Sequence, residues 1–298
     1  MDPRLLRAWD FRPEVLLVLL LAGTLFSLGW WRLRRGTSRR FARSWRLVVY
    51  LTGLGLLALA LISPIDSLGA YLLSMHMIQH LLLVMLAPVF LLITNPLPFT
   101  MWGMPDGLRL RVGGLLEQRS RLRRALAAIT TPGLVWIALV VVLVGWHDPR
   151  AYDAALRSPL VHNLEHLSFF VVAMFFWWHI TAAGPQLHGV PTAGVRIALL
   201  LITVPVTMGI GIVIALSAQP IYLNYITVPR VMGLSVMEDQ RLAGAIMWIP
   251  GSMMLILAAL TLLARIVSAE ERKPPLSLDS TLGNPLNTRP REDLPANQ

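Results

Sequence analysis

The chain has 298 residues, of which 55% are hydrophobic and only 14% are charged. The charged share is about half that of an ordinary soluble domain, which argues against a water-soluble globule. Cysteine is absent, which excludes disulfides and thiolate ligands. The net charge of +10 comes from Arg clusters between apolar stretches, a pattern typical of membrane topology signals and unlike a nucleic-acid-binding face.

Seven apolar stretches reach or approach the roughly 20 residues that an α-helix needs to cross a bilayer. They lie at 13–31, 45–63, 74–93, 132–146, 159–180, 195–217 and 241–266. The fourth is the shortest. Because backbone groups must be paired inside lipid, stretches of this length are expected to be helices. The sequence therefore predicts an all-α membrane protein, a bundle of about seven transmembrane helices within residues 13–267.

The orientation of these helices is predicted from the basic residues, because short cytoplasmic loops are enriched in Arg and Lys. Nineteen of the 26 Arg and Lys residues fall on the side that holds the segments after the first and third helices. This distribution predicts that the N-terminus lies outside and the C-terminus in the cytoplasm. The prediction requires the short fourth stretch to cross the membrane.

Three segments flank or interrupt the predicted bundle. Residues 1–12 are expected to form an extracytoplasmic N-terminal arm, and residues 95–131 a basic cytoplasmic loop. Within this loop, residues 107–128 have Leu at helical spacing, which fits an amphipathic helix on the membrane surface or a solvated loop. Residues 268–298 are rich in Pro, Asn and charge, which predicts a disordered cytoplasmic tail.

Five of the seven histidines are predicted to lie near the outer membrane face. His76 and His80 fall in the first turns of the third helix, His162 and His166 in the first turns of the fifth, and His147 at the outer end of the fourth. Each pair has i,i+4 spacing, which places both rings on one helical face. Ionisable groups inside a membrane usually mark a site or a pathway, so these five are predicted to bind metal at one site or at two adjacent ones.

Three further residues next to these histidines are candidate ligands. Glu165 lies three residues after His162, and Asp148 adjoins His147; either carboxylate can bind the metal or fix the tautomer of an imidazole. Met75 precedes His76 and offers a thioether, although methionine is also an ordinary packing residue.

Five other polar residues are weaker candidates. Asp66 lies in a short outer loop. Glu238 and Asp239 precede the last helix, where capping of a helix N-terminus is the favoured interpretation and an acidic rim that attracts cations is the alternative. His179 and His188 lie toward the predicted cytoplasmic side and are interpreted as structural.

The ligand types restrict the metal without settling it. Imidazole suits zinc, copper, iron and nickel. A cysteine-free, histidine-rich site on an oxidising exterior fits copper, and zinc remains open.

Several motifs together resemble the CtaG-type cytochrome c oxidase assembly family. They are HMIQH at 76–80, WHDP at 146–149, HNLEH at 162–166 and EDQRLAG at 238–244. The resemblance covers about residues 45–265 and includes several motifs in order. It implies a multi-pass protein of the bacterial plasma membrane that matures a haem-copper oxidase, with the family's histidines at positions 76, 80, 147, 162 and 166.

The resemblance also implies a non-enzymatic copper chaperone. Its protein partners would be cytochrome c oxidase subunits and a soluble extracytoplasmic copper donor. The chaperone itself would lie in the lipid bilayer and would not bind nucleic acid. Two other classes stay open from the residues alone. The sequence His162-x-x-Glu165-His166 matches an inverted zinc-protease motif, and paired histidines also occur in haem b proteins. A seven-helix receptor is a third possibility by helix count alone.

Overall fold

Every regular element in the described part of the chain is a helix. The computed structural model describes residues 9–36, 39–117 and 119–272. The helices are α1 (Pro13–Arg35), α2 (Ser44–Ile62), α3 (Pro64–Gly69), α4 (Leu73–Ile93), α5 (Pro96–Gly103), α6 (Asp106–Leu115), α7 (Arg121–Ile129), α8 (Pro132–Trp146), α9 (Pro149–Arg157), α10 (Pro159–Thr181), α11 (Ala193–Leu216), α12 (Asn224–Thr227) and α13 (Val236–Glu271).

Six of these helices are long and apolar enough to cross a membrane, which confirms the predicted all-α membrane protein. They are α1, α2, α4, α10, α11 and α13. Helix α8 has only 15 residues and counts as a seventh span only together with α7, from which it is bent by 59°. The orientation of the termini in the membrane stays a prediction.

Helix α8 packs beside the C-terminal half of α10, from about Ser168 to His179. Near one end, the Trp146 indole donates to the Ser168 hydroxyl over 2.8 Å. Near the other end, Nε2 of His179 lies 2.8 Å from the Thr130 carbonyl, just before α8 begins. The two helices therefore overlap over this half of α10. That the fourth stretch crosses the membrane stays a prediction.

Helix α4 contains a π-helical segment where the sequence predicted an unbroken α-helix. The segment covers Leu82–Leu86 and is followed closely by Pro88. Proline has no N–H to donate to the carbonyl four residues earlier, which is that of Val84. The indole of Trp177 on α10 donates to this carbonyl over 2.9 Å. The freed backbone group is thus paired inside the bundle, and α4 is attached to α10 one to two turns beyond His80.

The N-terminus of α4 is held by a side chain from the last helix. The Asp239 carboxylate accepts hydrogen bonds from the backbone N–H groups of Leu73 and Ser74, at 2.7 and 3.0 Å. Glu238 instead completes a capping box with Ser235 at the start of its own helix, α13. Both acidic residues therefore cap helices, as the favoured interpretation held, but Asp239 caps a helix distant in sequence.

The segments outside the long helices are partly structured. The basic segment 95–131 contains three short helices, α5 to α7, so the predicted amphipathic stretch is divided in two at residues 116–120. Helix α13 continues to Glu271, four residues into the predicted tail. The rest of that tail from residue 273, and residues 1–8 of the predicted arm, lie outside the described residues.

The backbones of helices α11 and α13 approach each other closely near the predicted outer end. A Cβ atom added to Gly211 on α11 would lie 2.7 Å from the backbone nitrogen of Trp248 and 2.8 Å from the Gly244 carbonyl oxygen. Small residues at such crossings allow close backbone packing, which drives helix association in membranes. A side chain at this position would push the two helices apart.

Substituting Gly211 by Ala is expected to lower the free energy of unfolding by about 1–3 kcal/mol, because a rigid backbone must move to make room. Gly209 on the same helix is exposed and has open space around it. Gly209→Ala is therefore expected to leave stability unchanged or to raise it slightly, since alanine favours helix. Thermal unfolding of the detergent-solubilised variants measures both effects. Equal melting temperatures for the two variants would contradict the packing described here.

Candidate metal centre

Four histidines from α4 and α10 face one another at one end of the bundle. The ring centroids of His76 and His80 lie 4.4 Å apart, and those of His162 and His166 lie 4.1 Å apart, as the i,i+4 spacing requires. Between the helices, the His166 ring is 5.5 Å from that of His76 and 5.6 Å from that of His80. The structure therefore brings the two pairs together.

Four residues form a tight inner donor group. His76, His80, Glu165 and His166 each offer one ligand atom, and these atoms all lie within 4.8 Å of one another. The Glu165 carboxylate oxygens lie 3.3 Å from Nε2 of His80 and 3.7 Å from Nε2 of His76. Glu165 and His76 are completely buried, and the other two are nearly so. Three imidazoles and one carboxylate make a suitable donor set for a divalent or monovalent transition-metal ion.

The polar atoms of this inner donor group have no hydrogen-bond partner among the described residues. This holds for both ring nitrogens of all three histidines and for both oxygens of Glu165. A polar group buried without a partner costs free energy, and the cost is largest where water is excluded. A bound cation would satisfy one nitrogen of each ring and the carboxylate. The chemistry of the donors thus fits a metal ion.

His147 lies beside the inner donor group and has a defined tautomer. Its Nδ1 is 2.7 Å from the Leu143 carbonyl oxygen, so this nitrogen carries the proton and Nε2 keeps its lone pair. Nε2 has no partner among the described residues, and the ring centroid lies 5.8 Å from that of His80. The Tyr222 hydroxyl donates to the His147 carbonyl over 3.1 Å. Burial raises the pKa of Tyr222 above its ordinary value, which keeps this donor protonated.

A second donor group overlaps the first and lies closer to solvent. Asp66, His162 and His166 also offer ligand atoms within 4.8 Å of one another. His162 is only partly buried, and its ring centroid is 5.3 Å from that of His76. His166 belongs to both groups. The five predicted histidines therefore do not make one shell of equivalent ligands.

Asp66 is oriented by two neighbours that the sequence did not single out. Gln79 donates to one carboxylate oxygen over 2.6 Å and also to the Ala60 carbonyl over 2.7 Å. Arg12 donates to the other carboxylate oxygen over 2.7 Å. Gln79 lies within the HMIQH motif, between the two histidines, and this position is the sequence signal that could have indicated its role. Arg12 is distant in sequence, so no local pattern marks it.

A small cavity of about 30 Å³ lies next to His80 and His147 on the side of the bundle centre. Its lining includes the side chains of Met77, Met85 and Met247. Thioethers are soft ligands that favour Cu(I) over zinc. The volume admits a single ion or water molecule, whereas cofactor pockets usually measure several hundred cubic ångströms.

The remaining residues predicted from the sequence lie outside the two donor groups. Asp148 is exposed and accepts hydrogen bonds from the backbone of Arg150 and Ala151, so it caps α9. Met75 is half-buried beside His76, and its ligand role stays a prediction. His179 and His188 lie at the opposite end of the bundle, where both contact Thr130.

Comparison with known proteins connects this chain to oxidase assembly. It matches the family described as cytochrome c oxidase caa3 assembly factor (Caa3_CtaG) over residues 24–269. Uncharacterized proteins of Mycobacterium bovis and Mycobacterium tuberculosis are each 27% identical over 287 residues, which cover 90% of this chain and 42% of each relative. An uncharacterized protein of Mycobacterium leprae is 24% identical over 279 residues, or 90% of this chain and 41% of that relative. The chain thus spans less than half the length of these curated relatives. No solved structure matches.

The family match covers most of the chain, including both donor groups and the helices that carry them. It agrees with the resemblance found from the HMIQH, WHDP and HNLEH motifs. This chain belongs to the cytochrome c oxidase caa3 assembly factor family.

Proposed function

We propose that this protein binds copper through His76, His80, His166 and Glu165 and delivers it to a cytochrome c oxidase subunit. The observation that carries the proposal is the set of buried, unpartnered donor atoms on α4 and α10. A histidine cluster used only for packing would be expected to bond to backbone carbonyls or water, as His147 and His179 do through one nitrogen each.

The thioether groups near the inner donor group favour copper over zinc, because thioethers are soft ligands. Copper binds N and O donors more tightly than zinc does at a comparable site, and Cu(I) also accepts thioethers. The methionine-lined cavity offers thioethers directly beside His80 and His147. Zinc remains an alternative, because imidazole and carboxylate also suit it. Metal analysis of the purified protein separates the two.

In this proposal copper is the protein's cargo rather than a resident cofactor. The donors lie at the end of the bundle where α4 and α10 begin, and the outer donor group reaches the surface through the partly exposed His162. An ion near a surface can be exchanged with a docked partner. The distribution of Arg and Lys supports a position for this end on the outer face of the membrane, which in this proposal is a bacterial plasma membrane. A soluble extracytoplasmic donor would supply the copper there, and no catalytic residue is needed.

A membrane zinc hydrolase is the principal alternative function. In the inverted zinc-protease motif, His162 and His166 would bind one zinc ion and Glu165 would act as the base. Here Glu165 groups with His76, His80 and His166, whereas His162 groups with Asp66 and His166. Glu165 is also completely buried, which leaves no room for a substrate beside it. This grouping favours a ligand role for Glu165 over a base.

A haem b protein is a weaker alternative. The cavity beside His80 and His147 measures about 30 Å³, far less than a porphyrin ring occupies. Donor atoms gathered within 4.8 Å of one another suit a small ion. Purified protein with a strong Soret absorption band would reverse this conclusion.

Replacing His76 and His80 together by Ala is expected to lower copper affinity by more than about tenfold, because two of the four inner donors are lost. The measurement is copper per protein after equilibration with limiting copper, together with oxidase activity in cells that carry the variant. The matched control is His188→Ala, since His188 is exposed at the opposite end of the bundle. An unchanged copper content in the double variant would refute the site.

Substitution of Glu165 by Gln distinguishes the chaperone from the hydrolase. For a copper ligand, loss of the negative charge is expected to weaken copper binding by about 10–100-fold and to lower oxidase activity in cells. For a hydrolase, wild-type protein would purify with one tightly bound zinc ion and cleave a peptide substrate, and the variant would keep the zinc but lose the cleavage. The second pattern would contradict the proposed function.

A further inference from the structure

The N-terminal arm just before α1 contacts the outer donor group through Arg12. One guanidinium nitrogen donates to Asp66 over 2.7 Å, and another donates to the Asn163 side-chain oxygen over 2.9 Å. The arm itself is fixed by the backbone N–H of Asp10, which donates to the Ile62 carbonyl over 3.2 Å. The positively charged Arg12 side chain therefore forms an ion pair with Asp66, the carboxylate of the outer donor group.

The outer and inner donor groups overlap at one residue, which makes a path for an ion. His166 has ligand atoms within 4.8 Å of Asp66 and His162, and also within 4.8 Å of His76, His80 and Glu165. Its two nitrogens have no partner among the described residues. The outer donor group includes the partly exposed His162, whereas Glu165 is completely buried. An ion from solvent meets the outer group first.

We propose that Asp66, His162 and His166 form a loading site for the copper ion, and that the Arg12–Asp66 ion pair keeps this loading site closed. The proposal rests on the proposed function, because it describes how the ion reaches the inner donors. Once bound at the loading site, the ion moves inward by exchanging Asp66 and His162 for His76, His80 and Glu165. His166 stays bound throughout, so the ion is never released into the bundle.

The closing mechanism is a competition between two cations for one carboxylate. Arg12 and a metal ion compete for Asp66, because each cation weakens the attraction of the carboxylate for the other. When the ion arrives, Arg12 has an alternative partner, because its Nε already lies 2.9 Å from the exposed Asp10 carboxylate. Gln79 holds the other oxygen of Asp66 and so preserves the orientation of the carboxylate during the exchange. Asp66 and Glu165 each offer a carboxylate ligand along the path.

The test is the rate at which purified protein in detergent takes up Cu(I), supplied from copper sulfate with excess ascorbate. Bound copper is measured after rapid gel filtration at increasing times. Arg12→Gln is expected to load about fivefold faster, the factor that a partly exposed ion pair typically contributes. Asp66→Asn is expected to load about tenfold slower, because the loading site loses its anionic ligand. Both variants should reach the wild-type copper content at equilibrium, since the inner donors are intact.

One control variant and one further loading-site variant make the test specific. Arg150→Gln removes an exposed positive charge at the same end of the bundle, so its loading rate is expected to match the wild type. His162→Gln removes a different ligand of the loading site and should slow loading as Asp66→Asn does, which covers the case in which one variant folds poorly. Melting temperatures identify such a variant.

The outcomes separate the loading site from the proposed function. Wild-type protein that binds no copper would refute the proposed function and this inference together. Wild-type protein that binds copper, with Arg12→Gln and Asp66→Asn loading at the wild-type rate, would refute only the loading site. A lower equilibrium copper content in Asp66→Asn would also refute it, because Asp66 would then be a ligand of the resident ion.

Discussion

The structure depends on one constraint: buried polar groups inside a membrane must find partners, and the inner donor group finds none within the described protein. Three imidazoles and a carboxylate are held close together by helix packing alone. Such an arrangement leaves their lone pairs free for a cation and leaves the cost of burial unrelieved until one binds. The surrounding hydrogen bonds orient the ligands without occupying them. Asp239 fixes the start of α4, and the Leu143 carbonyl fixes the tautomer of His147.

Packing of the helix bundle holds the inner donor side chains in position, because they have no hydrogen bonds of their own among the described residues. Trp177 takes the carbonyl freed by Pro88 in the π-helical segment of α4 and attaches α4 to α10, the two helices that carry the inner donors. Gly211 lets α11 and α13 approach closely, which positions Asp239 over the start of α4. Mutations far from the histidines should therefore affect the site through the position of α4.

Much of the fold was predictable because membrane burial imposes strong patterns on the sequence. Six of seven predicted spans agree with long helices to within a few residues, and the i,i+4 pairs correctly indicated one shared face on each of α4 and α10. The sequence left open whether the donors form one site or two adjacent ones, and it did not show which residues belong to each group. The division into two groups depends on Asp66, whose position is set by Gln79 and by the distant Arg12, and such tertiary contacts leave no local signal. The π-helical segment was missed because it depends on a tertiary contact. Pro88 is visible in the sequence, but the hydrogen bond from Trp177 to the freed Val84 carbonyl is not.

The family match and the donor groups both support the proposed delivery of copper during oxidase assembly. The central claim is that imidazoles from two transmembrane helices bind one copper ion. X-ray absorption spectroscopy of the copper-loaded protein tests it most directly. The account predicts a first shell of nitrogen and oxygen at about 2.0 Å with the multiple-scattering pattern of at least two imidazoles. A first shell without imidazole scattering, or with sulfur as its main component, would contradict the account.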